Sequence, residues 1–429
     1  MSMSELFSIL SEVWAIRAIV ASSMVGLMCG VLGCFIVLRN MSLVGDALAH
    51  AILPGVVVAY MLVGYSAMAF FTGAVVAGLA TAVGITWIQQ RVKTKNDAAV
   101  GIVFTSMFSL GVILISRISR QDGVHLDLKD FLFGYALGVS DTDLLLTGLV
   151  MVYVLVSVVV FYRYLFTSTF QSVVAETMGI SVQLLHYFLM LLLSFAVVAS
   201  LQTVGVILVV AMLITPAATA LLLSQRLQRV IVLAGLIGML SAILGMVVAV
   251  WLNTPPGPAM ALVATFLYLL TVVFAPKRGM MARAIYRRQR RQLTEREDIL
   301  KRIFRQSQGG QQPRPALIRE QLDLSLAAWN RQLRTLRSKG LVVAEELKLT
   351  DSGQLMALRL VRAHRLWETY LNQEAGLSAD QIHEEAERLE HLLTDEMLER
   401  VDRELGYPTQ DPHGSLIPRT RDKKAGLER

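Results

Sequence analysis

The 429-residue chain has only two cysteines, Cys29 and Cys34. They lie five positions apart in one apolar run, so they neither build a disulfide framework nor match zinc-site spacing, and they read as packing residues. No G-x-x-x-x-G-K-[ST] stretch occurs, so the chain supplies no phosphate-binding loop of its own. The opening MSMSELFSILSEVW is acidic and lacks the basic region and cleavage site of a secretory signal, so the first apolar run is expected to stay in the mature protein. Charge is scarce over residues 1–276, with 11 Lys/Arg and 10 Asp/Glu, whereas the remaining 153 residues hold 29 and 23. A lipid-solvated part is therefore followed by a water-solvated one. The net charge of +7 is not by itself a nucleic-acid signal, because Lys277, Arg278, Arg283, Arg287, Arg288, Arg290 and Arg291 form one acid-free block just after the last apolar run. Such a block is first of all a membrane anchor.

Apolar runs long enough to span a bilayer recur at about 15–38, 43–63, 67–88, 97–117, 142–166, 183–202, 204–224, 229–252 and 259–276. These make about nine spans, in a range of 8–10. Placing Arg39, the 91–95 segment, Arg163, Arg226, Arg229 and the 277–291 block on one side satisfies the positive-inside bias, with the N-terminus outside and the C-terminus in the cytoplasm. The 118–141 connection departs from it, since Arg117, Arg120 and Lys129 fall outside, and its FLFGYALGVS stretch reads as a re-entrant candidate. The 201–203 link and the 253–258 turn both suit the outer face.

Within Ser42 to Leu62, SLVGDALAHAILPGVVVAYML, stand one carboxylate, Asp46, and one imidazole, His50. In a helix that spacing puts both on one face, as an oxygen-plus-nitrogen donor set suited to a divalent transition metal. The alternative is a hydrogen-bonding pair that joins two helices. Ionisable groups inside a span are costly and normally face a cavity or a substrate path. His50 is eleven residues past Arg39, roughly 16 Å in at about 1.5 Å per residue.

The same stretch, VLRNMSLVGDALAHAILPGVVVAY, resembles the signature of the ABC-type permeases for manganese, zinc and iron, a basic residue ahead of G-D-A-x-x-H-A-x-x-P-G. VGVILVVAMLITPAATALLL, Val204 to Leu223, is similar to a later core helix of that family, and the resemblance covers roughly 15–276. It implies an all-α polytopic domain like that of type II ABC importers in a bacterial inner membrane, with Asp46 and His50 on the metal path. It also implies that the 167–181 loop, with Ala175, Glu176 and Gly179 in AETMGIS, couples to an ATPase. Without the resemblance that loop reads as an ordinary amphipathic helix closed by Gly179. The implied partners are a separate ATPase subunit, through which alone ATP acts, an extracytoplasmic metal-binding protein, and a second permease, identical or not. The chain itself is then a transporter subunit and not an enzyme.

Residues 277–293 read as a basic connector, and Thr294-Glu295-Arg296-Glu297 as a capping box opening a helix to about Ser307. Helices are expected from Pro315 to Leu322 and from a Ser325 cap to Gly340, then a short wing over 341–350 and a long helix to about Ala375. This is a winged helix-turn-helix over 294–352. LVRAHRLWETYL and then GLSADQIHEEAERLEHLLTDEMLERVDRELGYPTQDPHGSLIP resemble the diphtheria toxin repressor family of iron- and manganese-dependent regulators, from about Glu295 to Pro418. On a helical wheel at about 100° per residue, His383, Glu387, Glu390 and His391 share an arc of roughly 100° beside an apolar stripe. His364 and Glu368, one turn apart on the preceding helix, offer another side, and a solvated charged face is the plain alternative. The resemblance makes Asp298, His364, Glu368, His383, Glu387, Glu390 and His391 metal ligands in a helical sensing and dimerisation domain over 353–418. Where manganese-type members carry a second carboxylate on the first helix, this chain has Lys301, which opposes a two-metal site. The family's small-barrel domain is lacking, and 419–429 reads as a disordered tail.

Two functions from different classes follow: the permease of an ATP-driven importer of Mn²⁺, Fe²⁺ or Zn²⁺ with a regulatory domain, or a membrane-tethered or proteolytically released repressor. An anchor needs one span and no ionisable pair, which favours the importer. Arg331, Arg334 and Arg337 are candidate DNA contacts, but Trp329 at the groove-facing start of their helix and Glu345 and Glu346 on the wing weigh against DNA.

Overall fold

The structure is a computed structural model. It describes residues 3–64, 66–91, 96–118, 138–308, 312–343, 345–375, 382, 386–387 and 389–419. The chain divides into two compact units, Met1–Arg283 and Ala284–Arg429.

In the first unit α1 is Met3–Leu10, α2 Val13–Leu38, α3 Ser42–Ala51, α4 Leu53–Val63, α5 Ala67–Arg91 and α6 Asn96–Ile118. Then follow α7 Asp141–Val160, α8 Tyr162–Phe170, α9 Ser172–Thr177, α10 Val182–Leu223, α11 Leu227–Leu252 and α12 Pro256–Phe274. Among the described residues eight helices are long and apolar enough to cross a membrane, and Leu208–Leu223 is a shorter apolar helix. This is a multi-span membrane unit. Residues 201–203 do not turn as expected: α10 stays helical through them and breaks at Gly205, with φ 79° and ψ 168°. Glycine takes that positive φ without the clash a side chain would meet, and nothing in 201–204 breaks a helix. The 119–137 part of the connection, with most of its re-entrant candidate, lies outside the described residues.

With lipid tails as apolar as the side chains, helices in a membrane gain by letting backbones approach closely, which small residues permit. Along α2 a Cβ on Gly26 would sit 2.4 Å from the Gly238 carbonyl oxygen, and one on Gly33 1.8 Å from that of Leu213. The α2 seam against α10 and α11 thus admits no side chain at these points. After α2 the chain turns at Asn40, φ 55°, and the Met41 amide donates to the Ile36 carbonyl. Arg39 in this turn donates from Nε to Thr169 Oγ1 at 3.1 Å and from Nη2 to Ser168 Oγ at 2.6 Å, both on α8. Pro54 interrupts the next run, since it has no amide to offer the carbonyl one turn back, that of His50. The run is accordingly split at Ile52 into α3 and α4.

The second unit begins within α13, Met280–Gln308, and continues through α14 Pro315–Gln321, α15 Leu326–Ser338, α16 Asp351–Ala375, a 3₁₀ turn Glu390–Leu392 and α17 Asp395–Glu404. Thr294 therefore opens no helix, and 280–293 is not a loose connector. MMARAIYRRQRRQ contains no Gly or Pro and is rich in strong helix formers, and Arg291 pairs with Glu295 one turn on at 3.1 Å. Ile299, Leu300, Ile303, Phe304, Ile318, Trp329, Leu333 and Leu336 form the core of the helix-turn-helix part. Trp329 is buried in that core and does not face a groove. The wing is one antiparallel bridge, Val342 to Leu349. Residues 420–429, and so the tail, lie outside the described residues.

Candidate metal sites

On α3 the Asp46 and His50 side chains stand on one face, with Nε2 of His50 3.6 Å from Oδ1 of Asp46. That separation is longer than a hydrogen bond. Nδ1 of His50 is buried without a hydrogen-bond partner among the described residues. The ring is held by packing, edge-on to Phe108 at 5.6 Å and tilted to Phe104 at 5.8 Å, both on α6. The imidazole is thus oriented by two aromatic rings, with neither nitrogen committed to a protein acceptor. The Asp46 carboxylate is 49% exposed on this single chain, inside an apolar helix. In α9 and the turn after it, Ala175 is buried, Glu176 is exposed, and Gly179 takes φ 76°.

In the second unit α13 and the Glu390–Leu392 turn bring Asp298, Glu390 and His391 together, with one donor atom of each within 4.8 Å of the others. His391 Nδ1 lies 2.6 Å from a Glu297 oxygen. With the Nδ1 proton donated there, Nε2 carries the lone pair of the neutral ring. Nε2 is buried, faces Asp298 Oδ1 at 3.2 Å and Glu390 Oε1 at 3.6 Å, and completes no well-angled hydrogen bond among the described residues. An acceptor aimed at acceptors fits a cation between them, the arrangement in which a carboxylate behind a histidine orients it toward a metal. Without metal, burial lowers the His391 pKa, but Asp298 and Glu297 outweigh that and raise it from 6.5 to about 9.

The other half of the cluster is already filled. Lys301 Nζ donates to both Glu390 oxygens at 2.7 Å and lies 3.2 Å from His364 Nδ1. His364 Nδ1 meets Glu390 Oε2 at 2.6 Å, and its Nε2 lies 3.0 Å from Glu368 Oε1. Burial depresses the Lys301 pKa, against the pull of Glu390. Burial would raise the Glu390 pKa, but His364 and Lys301 hold it below the usual range. His364 is raised because hydrogen bonds to Glu368 and Glu390 outweigh burial.

Of the sensor ligands read from sequence, Asp298, Glu390 and His391 converge. His364 and Glu368 join Lys301 on the far side of Glu390, Glu387 turns to Arg302 at 3.9 Å, and His383 lies outside the described residues. Glu297 was missed. Its carboxylate, assigned by the sequence pattern to a capping box, instead holds His391, and its position one residue before Asp298 was the available signal. On α15, Arg331, Arg334 and Arg337 are all exposed, as are Glu345 and Glu346 on the wing.

Residues 12–275 match the model of the ABC 3 transport family, and residues 350–419 that of the iron dependent repressor, metal binding and dimerisation domain. The manganese transport system membrane protein MntC of Halalkalibacterium halodurans is 47% identical over 275 residues, 64% of this chain and 92% of that protein. MntC of Bacillus subtilis is 36% identical over 376 residues, 85% of this chain and 86% of that one, a match too long for the permease region alone. Among solved structures, PsaBC from Streptococcus pneumoniae in complex with Fab is 38% identical, with a TM-score of 0.58 over 65% of this chain and 98% of that one. The chain therefore belongs to the ABC 3 transport family, and its permease unit is fused to an iron-dependent-repressor metal-binding and dimerisation domain.

Proposed function

We propose that this chain is the membrane subunit of an ATP-driven importer of a divalent transition metal, with manganese as cargo, and that its C-terminal domain senses cytoplasmic metal and restrains transport. The observation that carries the transport reading is the uncommitted Asp46–His50 pair on an apolar helix. A carboxylate half exposed at that depth is costly against lipid, so the reading places a second permease, identical or not, across the pair, with the path between them. Manganese is preferred to iron and zinc because the relatives MntC of H. halodurans and B. subtilis carry manganese transport in their names. An Asp/His donor set alone serves all three.

The rest of the reading follows from what the chain lacks. With no phosphate-binding loop, hydrolysis belongs to a separate ATPase, docked on Ala175, Glu176 and Gly179. An extracytoplasmic metal-binding protein delivers the ion to a chain in the inner membrane whose C-terminal unit is cytoplasmic. In that unit Asp298, Glu390 and His391, with Glu297 behind, would hold a divalent ion, whose charge would draw α13 and the 390–392 turn together and so bias pairing of two C-terminal domains. A second reading, a DNA-binding repressor, is favoured by the exposed Arg331, Arg334 and Arg337 with Trp329 out of the way, and opposed by Glu345 and Glu346 on the wing. Asp46→Asn and His50→Ala should each abolish metal uptake while the complex still assembles. Uptake at wild-type rates in either would sink the assignment.

A further inference from the structure

The buried cluster of the second unit is built around one shared carboxylate. Glu390, fully buried, directs both oxygens at Lys301 and also presents Oε1 to His391 Nε2 at 3.6 Å. It thus lies between two positions at which a cation can be held. On one side stand Asp298 and the buried, uncommitted Nε2 of His391. On the other stand His364 and Glu368, and there the position is taken by Nζ of Lys301, on a side chain 3% exposed. Its 2.7 Å contacts to both carboxylate oxygens and its 3.2 Å approach to His364 Nδ1 leave no room for an ion on those three atoms. A divalent ion placed there would also meet an ammonium in a poorly screened interior, where like charges repel most.

We infer that Lys301 is a resident cation standing in for a second metal, so that the C-terminal domain binds one divalent ion, at Asp298, Glu390 and His391, and cannot form a two-metal centre. This rests on the reading that the domain binds a divalent ion at all.

The test is the metal content of the full chain in detergent, in a His50→Ala background that removes the transport ligand, by equilibrium dialysis against Mn²⁺ and elemental analysis. Electron paramagnetic resonance on the same samples separates isolated from spin-coupled Mn²⁺. One isolated ion per chain is expected, and none after His391→Ala. Lys301→Arg, which keeps the cation, should still bind one. Lys301→Glu should bind two with a coupled spectrum. If Lys301→Glu binds none and has lost its fold, the neutral Lys301→Gln decides, and two ions are expected there. Two ions in the parent chain, one ion in a folded Lys301→Glu, or fewer than two in Lys301→Gln would each overturn the inference. No ion in the parent chain would instead remove the metal-sensing reading beneath it.

Discussion

Raising the pH of the metal-free chain should loosen the second unit through His391. Its pKa stands at about 9 in the folded protein against 6.5 for the free side chain. Because the folded value is the higher one, the stabilisation is fully present below pH 6.5 and is lost as pH rises through 9. The difference corresponds to roughly 3 kcal/mol, at about 1.4 kcal/mol per pH unit. The groups facing the ring are Glu297, Asp298 and Glu390, with Lys301 behind Glu390. Lys301, depressed by burial, works in the opposite sense at high pH, so the quantity to measure is a difference between two chains. Hydrogen exchange of the α13 and α17 amides, on full-length protein in detergent with a chelator, would be compared at pH 6 and 9.5 for the parent and for His391→Gln. The parent should lose about 2–3 kcal/mol of opening free energy more than the variant. Equal losses in both would refute the reasoning. Metal should show the complementary trend: an ion on Nε2 displaces one proton, so Mn²⁺ affinity at this site should fall about tenfold per pH unit below 9.

Removing residues 278–429 should leave uptake intact but no longer inhibited by internal metal; a truncated chain still inhibited like the parent would refute the regulatory reading. Gly33→Ala, whose Cβ would lie 1.8 Å from a backbone oxygen, should destabilise the membrane unit by about 1–3 kcal/mol or more. Gly101→Ala, where nothing lies within 4 Å, is the control in thermal unfolding and should not destabilise. Gly179→Val forces a β-branched residue into φ 76°, a strain of about 1–2 kcal/mol at the coupling turn, and should uncouple hydrolysis from transport in a reconstituted complex. Unchanged metal-stimulated hydrolysis would count against that.

Hydropathy placed the spans well because a bilayer imposes one length and one composition on every helix that crosses it. It erred where local backbone chemistry decides. Residues 201–203 look like a polar link, yet the helix runs on to Gly205, the first residue there that tolerates a positive φ. Thr294 and Glu297 form a valid start signal, but capping is worth only about 1 kcal/mol, less than continuing a helix through thirteen good helix formers. The same error hid the role of Glu297. Trp329 lies on the face of α15 that the core claims, and a two-turn basic helix seen alone does not tell which face that is. Asp46 and His50 were legible because charge inside an apolar run is conspicuous. The two-sided use of Glu390 was not, since it depends on a lysine 89 positions away.

The paired hydrogen bonds from Arg39 to Ser168 and Thr169 act mechanically as a short tie-rod. The helix it grips, Tyr162–Phe170, leads within two residues into Ser172–Thr177, and Arg39 itself stands three residues ahead of the helix that bears Asp46. A displacement of the coupling segment therefore reaches the base of the Asp46–His50 helix by way of protein atoms alone, with no lipid to absorb it and no long lever to dilute it.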